Sequence, residues 1–180
     1  MRLFVALPVP DTLRTAVVTA TRELRDGDGE GLRWASAERL HVTLAFLGEV
    51  AAEHLADAVA VVDTVATAAP PLALRSGEAG RFGRGVLWLG VVDRPPGGVA
   101  DLGERLQAAL ADQGLPVERR AVRPHVTLGR GGKRRVDDAL VAAVSVPPVA
   151  WRATSIQLWS SELGSGPARY TVEHEAPLIG

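Results

Sequence analysis

Cysteine is absent from this 180-residue chain, which excludes disulfides, a thiol nucleophile and any thiolate metal site. Aromatic residues make up only 4%, so the interior must be assembled mainly from alanine, valine and leucine. Lysine is nearly missing: Lys133 is the single one, and arginine supplies the remaining positive charge. That bias reads as a GC-rich coding composition before it reads as selection for phosphate contacts. Neither sign of charge dominates, with a formal net charge of −1 and a pI of about 6.4, so no global basic field advertises a nucleic-acid partner. No apolar run approaches the ~20 residues of a membrane span, and Met1-Arg2-Leu3-Phe4 leads directly into a strand-like run rather than a targeting segment. These absences predict a cytoplasmic protein with no membrane partner, and we take it to be a monomer.

What is present is a hydrophobic content of 47%, ample for one domain over residues 1–180, built as a unit or as two small lobes sharing a core. The informative stretch is His41-Val42-Thr43-Leu44, which recurs at His125-Val126-Thr127-Leu128. The likeness extends outward, because Arg39 and Gly48 flank the first copy as Arg123 and Gly132 flank the second. In a strand, residues two apart share a face. Each copy therefore presents an imidazole and a hydroxyl on one face and anchors itself through Val and Leu on the other.

Around the two copies the chain repeats a plan. Leu3 to Leu7 reads as an apolar strand stopped by Pro8 and Pro10. Asp11 reads as a helix N-cap, with Leu13, Val17, Ala20 and Leu24 at helical spacing. The first motif strand runs from about Leu40 to Leu47, and Glu53 to Ala68 forms a helix ended by Pro70-Pro71. Strands follow at Leu72–Ala79 and Val86–Val92, joined through the glycine-rich turn Gly80–Gly85. The pattern then restarts with a helix at Val99–Gln113, the second motif strand from His125, a short helix at Val136–Val144, and Pro147-Pro148. Strands at about Ala153–Ser160 and Arg169–Glu175 close the molecule. This is an internal duplication, and it predicts an α+β protein with two similar lobes. The order in which the strands pair is not readable from these periodicities.

A lone histidine on a strand is ordinarily a hydrogen-bonded structural residue. Duplication alone would preserve core Val and Leu, and it gives no reason to keep two polar residues on the same face of both copies. Two histidines with two hydroxyls suit phosphoryl transfer by acid–base catalysis, with one neutral imidazole accepting a proton while the other, charged, donates one. Thr43 and Thr127 would then hold non-bridging oxygens, and a pH profile with limbs between about 5 and 8 would follow. A metal site is the rival use. The pattern gives it no histidine at i+4, no third histidine near either motif and no cysteine, so no metal and no cofactor are expected. Asp137 and Asp138 fit the first turn of a helix, and His54 and His174 read as surface residues. Gly80–Gly85 lacks the lysine and the strand-to-helix context of a nucleotide-binding loop. Arg130 is taken as a contact to the same anion. Arg81, Arg84 and Arg135 are placed nearby but read as solvated, and Phe46, Trp34, Trp88, Trp151 and Trp159 as mostly core.

The two motifs resemble the paired HxTx motifs of the 2H phosphoesterase superfamily. Within it, the chain is most similar to the RNA 2′,3′-cyclic phosphodiesterases, also called 2′-5′ RNA ligases of the LigT type. The resemblance spans nearly the whole chain, including Arg2–Leu7, Leu40–Gly48, Val86–Gly90, Arg123–Arg130, Ser161-Glu162-Leu163 and Ala168-Arg169-Tyr170. It implies a bilobed fold in which two antiparallel sheets flank a central groove with helices outside. It also implies metal-independent opening of an RNA 2′,3′-cyclic phosphate end to a 2′-phosphomonoester, with reversible 2′-5′ ligation as an associated reaction. Carried over residue by residue, His41 becomes the proton donor, His125 the proton acceptor, and Thr43 and Thr127 the phosphate-binding residues. Gly129 stands where the family often has alanine. The alternatives are a 2H phosphoesterase acting on small cyclic nucleotides or 2′-5′ linkages, and a non-catalytic protein that binds RNA ends.

Overall fold

The computed structural model describes residues 1–162 and 168–180, so Leu163, the last residue of one stretch named above, lies outside the described residues. The strands are β1 (Arg2–Pro8), β2 (Arg33–Trp34), β3 (His41–Glu49), β4 (Leu72–Phe82), β5 (Val86–Arg94), β6 (His125–Arg130), β7 (Ala150–Ala153), β8 (Ser155–Glu162) and β9 (Arg169–Pro177). The α-helices are α1 (Asp11–Asp26), α2 (Leu55–Thr67), α3 (Gly98–Asp112) and α4 (Asp138–Ala143). The class is α+β, as the duplication predicts.

The described strands form one antiparallel sheet in the order β7-β4-β5-β6-β3-β1-β8-β9, with β2 added to β6. The two expected sheets are its two arms, which meet at the motif strands through a single bridging pair, Val42 with Val126. The arms do not follow the sequence halves. The hairpin β4–β5 belongs to the first half of the chain but lies beside β6, while β8–β9 belongs to the second half and lies beside β1 and β3. Each lobe is therefore completed by strands from the other repeat, so neither half has a complete sheet of its own.

Alternation along the strands separates the two faces. Leu3, Leu7, Leu44, Leu87 and Leu89 are each 2% or less exposed and join Leu13, Val62, Leu106 and Leu140 of the four helices in one core. Burial of each such side chain contributes roughly 1.5–3 kcal/mol. On the opposite face Phe4, Ala6 and Trp159 form a second, smaller cluster with Phe46 and Tyr170 against it, and this cluster floors one half of the groove.

Three local expectations are corrected. Asp11 is the first residue of α1 rather than its cap; Pro10 holds the cap position in extended conformation, and the Asp11 carboxylate instead meets Arg14 at 3.5 Å. The buried stripe of that helix passes through Leu13, Val17 and Thr21, whose hydroxyl donates to the Val17 carbonyl. β4 runs on through Gly80 to Phe82, leaving only Gly83–Gly85 as the turn. Gly80 is required there because the Trp88 indole crosses it, 2.3 Å from where a Cβ would stand. α4 covers Asp138–Ala143 only. Asp137 caps it by accepting from the Leu140 amide at 2.9 Å, and Val136 instead donates its amide to Arg84 across the lobe.

Candidate active site

Val42 and Val126 are fully buried on the helix-covered face, so their neighbours His41, Thr43, His125 and Thr127 point the other way, into the groove. The antiparallel bridge between the two valines sets the register. It places His41 across from Thr127 and Thr43 across from His125, so each imidazole faces the hydroxyl of the other motif. This is the geometry that the repeated tetrapeptide encodes. All four side chains are half-buried.

Both rings are held alike. The His41 Nδ1–H donates to the Arg39 carbonyl at 2.7 Å, and the His125 Nδ1–H donates to the Arg123 carbonyl at 2.6 Å. A carbonyl only accepts, so the neutral tautomer of each ring carries its proton on Nδ1 and leaves the Nε2 lone pair free for chemistry.

Aromatic residues contributed by neighbouring strands pack on each ring. His41 meets Phe4 at 4.9 Å, Trp159 at 5.8 Å and Tyr170 at 5.9 Å between ring centroids. His125 meets Phe82 edge-on at 4.9 Å and Trp88 at 6.3 Å. The sequence pattern marks the tryptophans as mostly core and assigns no role to Phe4, Phe82 or Tyr170. Trp159 is indeed buried, whereas Trp34, Trp88 and Trp151 are only half-buried. Arg39, whose carbonyl accepts from the His41 ring, lays its guanidinium 4.8 Å over Tyr170 and donates to the Ala168 carbonyl at 2.6 Å.

A second set of unanticipated residues seats His125. Gln107 is buried on α3; its amide nitrogen donates to the Leu44 carbonyl at 3.1 Å and its amide oxygen accepts from the Arg120 backbone N–H at 2.9 Å. One turn earlier, Gly103 lets Val122 lie where a Cβ would stand, 2.4 Å away. The Glu118 amide donates to the Phe46 carbonyl at 2.8 Å, and the Val91 amide to the Pro124 carbonyl at 3.0 Å. The irregular segment that delivers Arg123 and His125 is thus strapped along β3 by α3.

Burial and charge act on both imidazoles in the same direction. Burial pushes the His41 pKa down to about 4, against the backbone bond to Arg39, which raises it; the charges of His125, Arg130 and Arg14 lower it further. His125 is also lowered, first by burial, with Arg120 and Arg130 adding to it and the Arg123 bond opposing. Both rings are consequently neutral at neutral pH, and an anion placed between them would favour the charged form.

Arg130 is exposed, and its charge lowers the pKa of both histidines. Arg81 instead pairs with Asp138 at 2.7 Å. His54 pairs with Asp57 at 2.9 Å and His174 with Asp63 at 2.6 Å, away from the motifs. Among the described residues no three His, Cys, Asp or Glu side chains gather as a metal-binding group, and no helix is long and apolar enough to cross a membrane.

The curled antiparallel sheet thus pairs two His-x-Thr strands across its seam. The sequence profile of the 2′-5′ RNA ligase superfamily matches residues 9–165, and the chain belongs to that family. It is 32% identical over 177 residues to an RNA 2′,3′-cyclic phosphodiesterase of Escherichia coli K12, covering 94% of this chain and 92% of the relative. A Thermotoga maritima protein of the same name is 29% identical over 188 residues, covering 100% of this chain and 97% of the relative. Among solved structures, TT0787 of Thermus thermophilus superposes with a TM-score of 0.82 at 29% identity, covering 100% of this chain and 99% of the other. E. coli LigT complexed with 3′-AMP superposes at 0.79 with 29% identity, covering 99% and 98%.

Proposed function

We propose that this protein is a metal-independent RNA 2′,3′-cyclic phosphodiesterase acting as a cytoplasmic monomer, with residues 1–180 forming one domain of two lobes. Reversible 2′-5′ ligation would be the same displacement with a 5′-hydroxyl attacking phosphorus in place of water and the 3′ oxygen leaving. The observation that carries the reading is the square of His41, Thr127, His125 and Thr43, in which each ring presents Nε2 because a backbone carbonyl holds its Nδ1–H. The names of the relatives agree with it.

In this reading neutral His125 takes a proton from water through Nε2 as the water oxygen attacks phosphorus. The bond from phosphorus to the 3′ oxygen breaks on the far side, and His41, charged once the anionic substrate is bound, gives its Nε2 proton to that oxygen. Thr43 and Thr127 donate hydrogen bonds to the non-bridging oxygens as their charge grows, and Arg130 adds positive potential. The product carries a 2′-phosphomonoester.

Product analysis on a 2′,3′-cyclic-ended oligonucleotide in excess EDTA tests this. The expected result is full turnover to 2′-phosphate ends. A 3′-phosphate product would overturn the substrate orientation, and loss of turnover restored by Zn²⁺ or Mn²⁺ would overturn the acid–base chemistry.

The pH dependence has a definite sign. kcat/KM reports the free enzyme, where both histidines lie below their ordinary 6.5. The donor His41 loses its proton as pH rises above about 4, and the acceptor His125 is also lowered, so the kcat/KM bell should peak on the acid side of 6.5. kcat reports the bound complex, where the phosphate anion favours imidazolium, so its bell should peak at higher pH. Profiles of kcat/KM and kcat on one cyclic mononucleotide check this, and a kcat/KM optimum above about pH 7 would contradict it.

A further inference from the structure

The two ends of the groove are charged differently. β3 ends at Glu49, which is met by Arg2 at 3.4 Å and the N-terminal ammonium at 3.5 Å, whereas its counterpart β6 ends at Arg130. Beyond that end three segments converge. The Gly131 amide donates to the Gly85 carbonyl at 2.7 Å, the Arg134 amide to Gly31 at 3.3 Å, and the Val136 amide to Arg84 at 3.1 Å. The convergence gathers Arg33, Arg84, Arg130, Lys133 and Arg135, all exposed and none in an ion pair among the described residues. The nearby carboxylates are mostly engaged by other arginines: Asp137 pairs with Arg134 at 2.8 Å, with Arg84 close enough to act on it as well, and Asp138 pairs with Arg81. Asp28 and Glu30 stand exposed on the facing turn.

Arg33 and Arg130 stand directly opposite in the β2–β6 pair, an arrangement of like charges that ordinarily destabilises an antiparallel ladder. In a chain of net charge −1, concentrating repulsion at one end of the groove calls for an external polyanion. The reach also fits. His125 and Arg130 stand at opposite ends of β6, about 17 Å apart at strand rise, which spans several nucleotides of a stacked single strand at ~3.4 Å each.

We infer that the surface of Arg84, Lys133 and Arg135 holds the phosphodiester backbone of the RNA strand behind its cyclic end, so that the strand leaves the histidines along β6. This rests on the function proposed above and names its substrate as an oligonucleotide rather than a mononucleotide. The contacts are electrostatic and independent of base sequence.

The test is kcat/KM against salt for a 2′,3′-cyclic-ended octanucleotide and a 2′,3′-cyclic mononucleotide, using the native protein and the triple variant Arg84→Gln, Lys133→Gln, Arg135→Gln. For the octanucleotide the native value should fall steeply between about 50 and 200 mM salt, and the variant should lose about 20-fold less over that range, from roughly 0.7 in the salt slope for each of the three phosphate contacts removed. Mononucleotide turnover and melting temperature should be unchanged. Equal salt dependence in both proteins, or an equal loss on both substrates, would overturn the assignment. So would the same effect from Arg2→Gln with Arg169→Gln at the other arm. If neither substrate turns over, the proposed function has failed. Anisotropy of a labelled octanucleotide then still decides the surface: a salt slope that the triple variant flattens supports it, and one it leaves unchanged overturns it.

Discussion

His41→Ala and His125→Ala should each lower kcat by about 10²–10⁴-fold, the range of a positioned proton-transfer group. Each ring rests on aromatic neighbours and donates to a backbone carbonyl two residues earlier. Removing it therefore deletes one oriented Nε2 without touching the buried valines of the seam. Because both groups act on one phosphate, the double variant should cost much less than the product of the two single effects. Rates and melting temperatures of the three variants on one cyclic-ended substrate check this. Single variants within a few-fold of native kcat would remove the histidines from the chemistry.

Thr43→Val and Thr127→Val should lower kcat by roughly 10–10³-fold with stability nearly unchanged. Valine keeps the branched shape and the strand preference while deleting the hydroxyl, so a structural threonine would tolerate the change. The register places each threonine across from the histidine of the other motif, which puts its hydroxyl where a phosphate held between the rings would present a non-bridging oxygen. The loss should appear in kcat more than in KM, because the charge being stabilised grows toward the transition state. Native turnover in both valine variants would reduce the site to the two imidazoles.

The four central side chains are legible in the sequence because one tetrapeptide carries both their chemistry and their facing. Period-two alternation puts His and Thr on one face, and buried Val42 and Val126 fix which face that is. The surroundings are not legible, because they arrive through non-local pairing. Phe4 and Trp159 reach His41, and Trp88 reaches His125, on strands whose order follows from an exchange of hairpins between the repeats. Gln107 acts through two backbone groups far along the chain, a role that no local pattern encodes. The differences at element ends have local causes: Pro10 already supplies the extended cap of α1, and the backbone bond from Val136 to Arg84 keeps 136 out of α4. Gly80 has the composition of a turn residue, but it is a gap in the strand that admits an indole.

The assignment of opposite roles to the two histidines is tested most directly by the pH dependence of kcat/KM in the two alanine variants. With the donor removed, only a neutral acceptor is required, so His41→Ala should keep the acid limb and rise to a plateau. With the acceptor removed, only a charged donor is required, so His125→Ala should keep the alkaline limb and fall as pH rises. Limbs exchanged between the variants would reverse donor and acceptor, and an intact bell in both would contradict two-histidine acid–base catalysis itself.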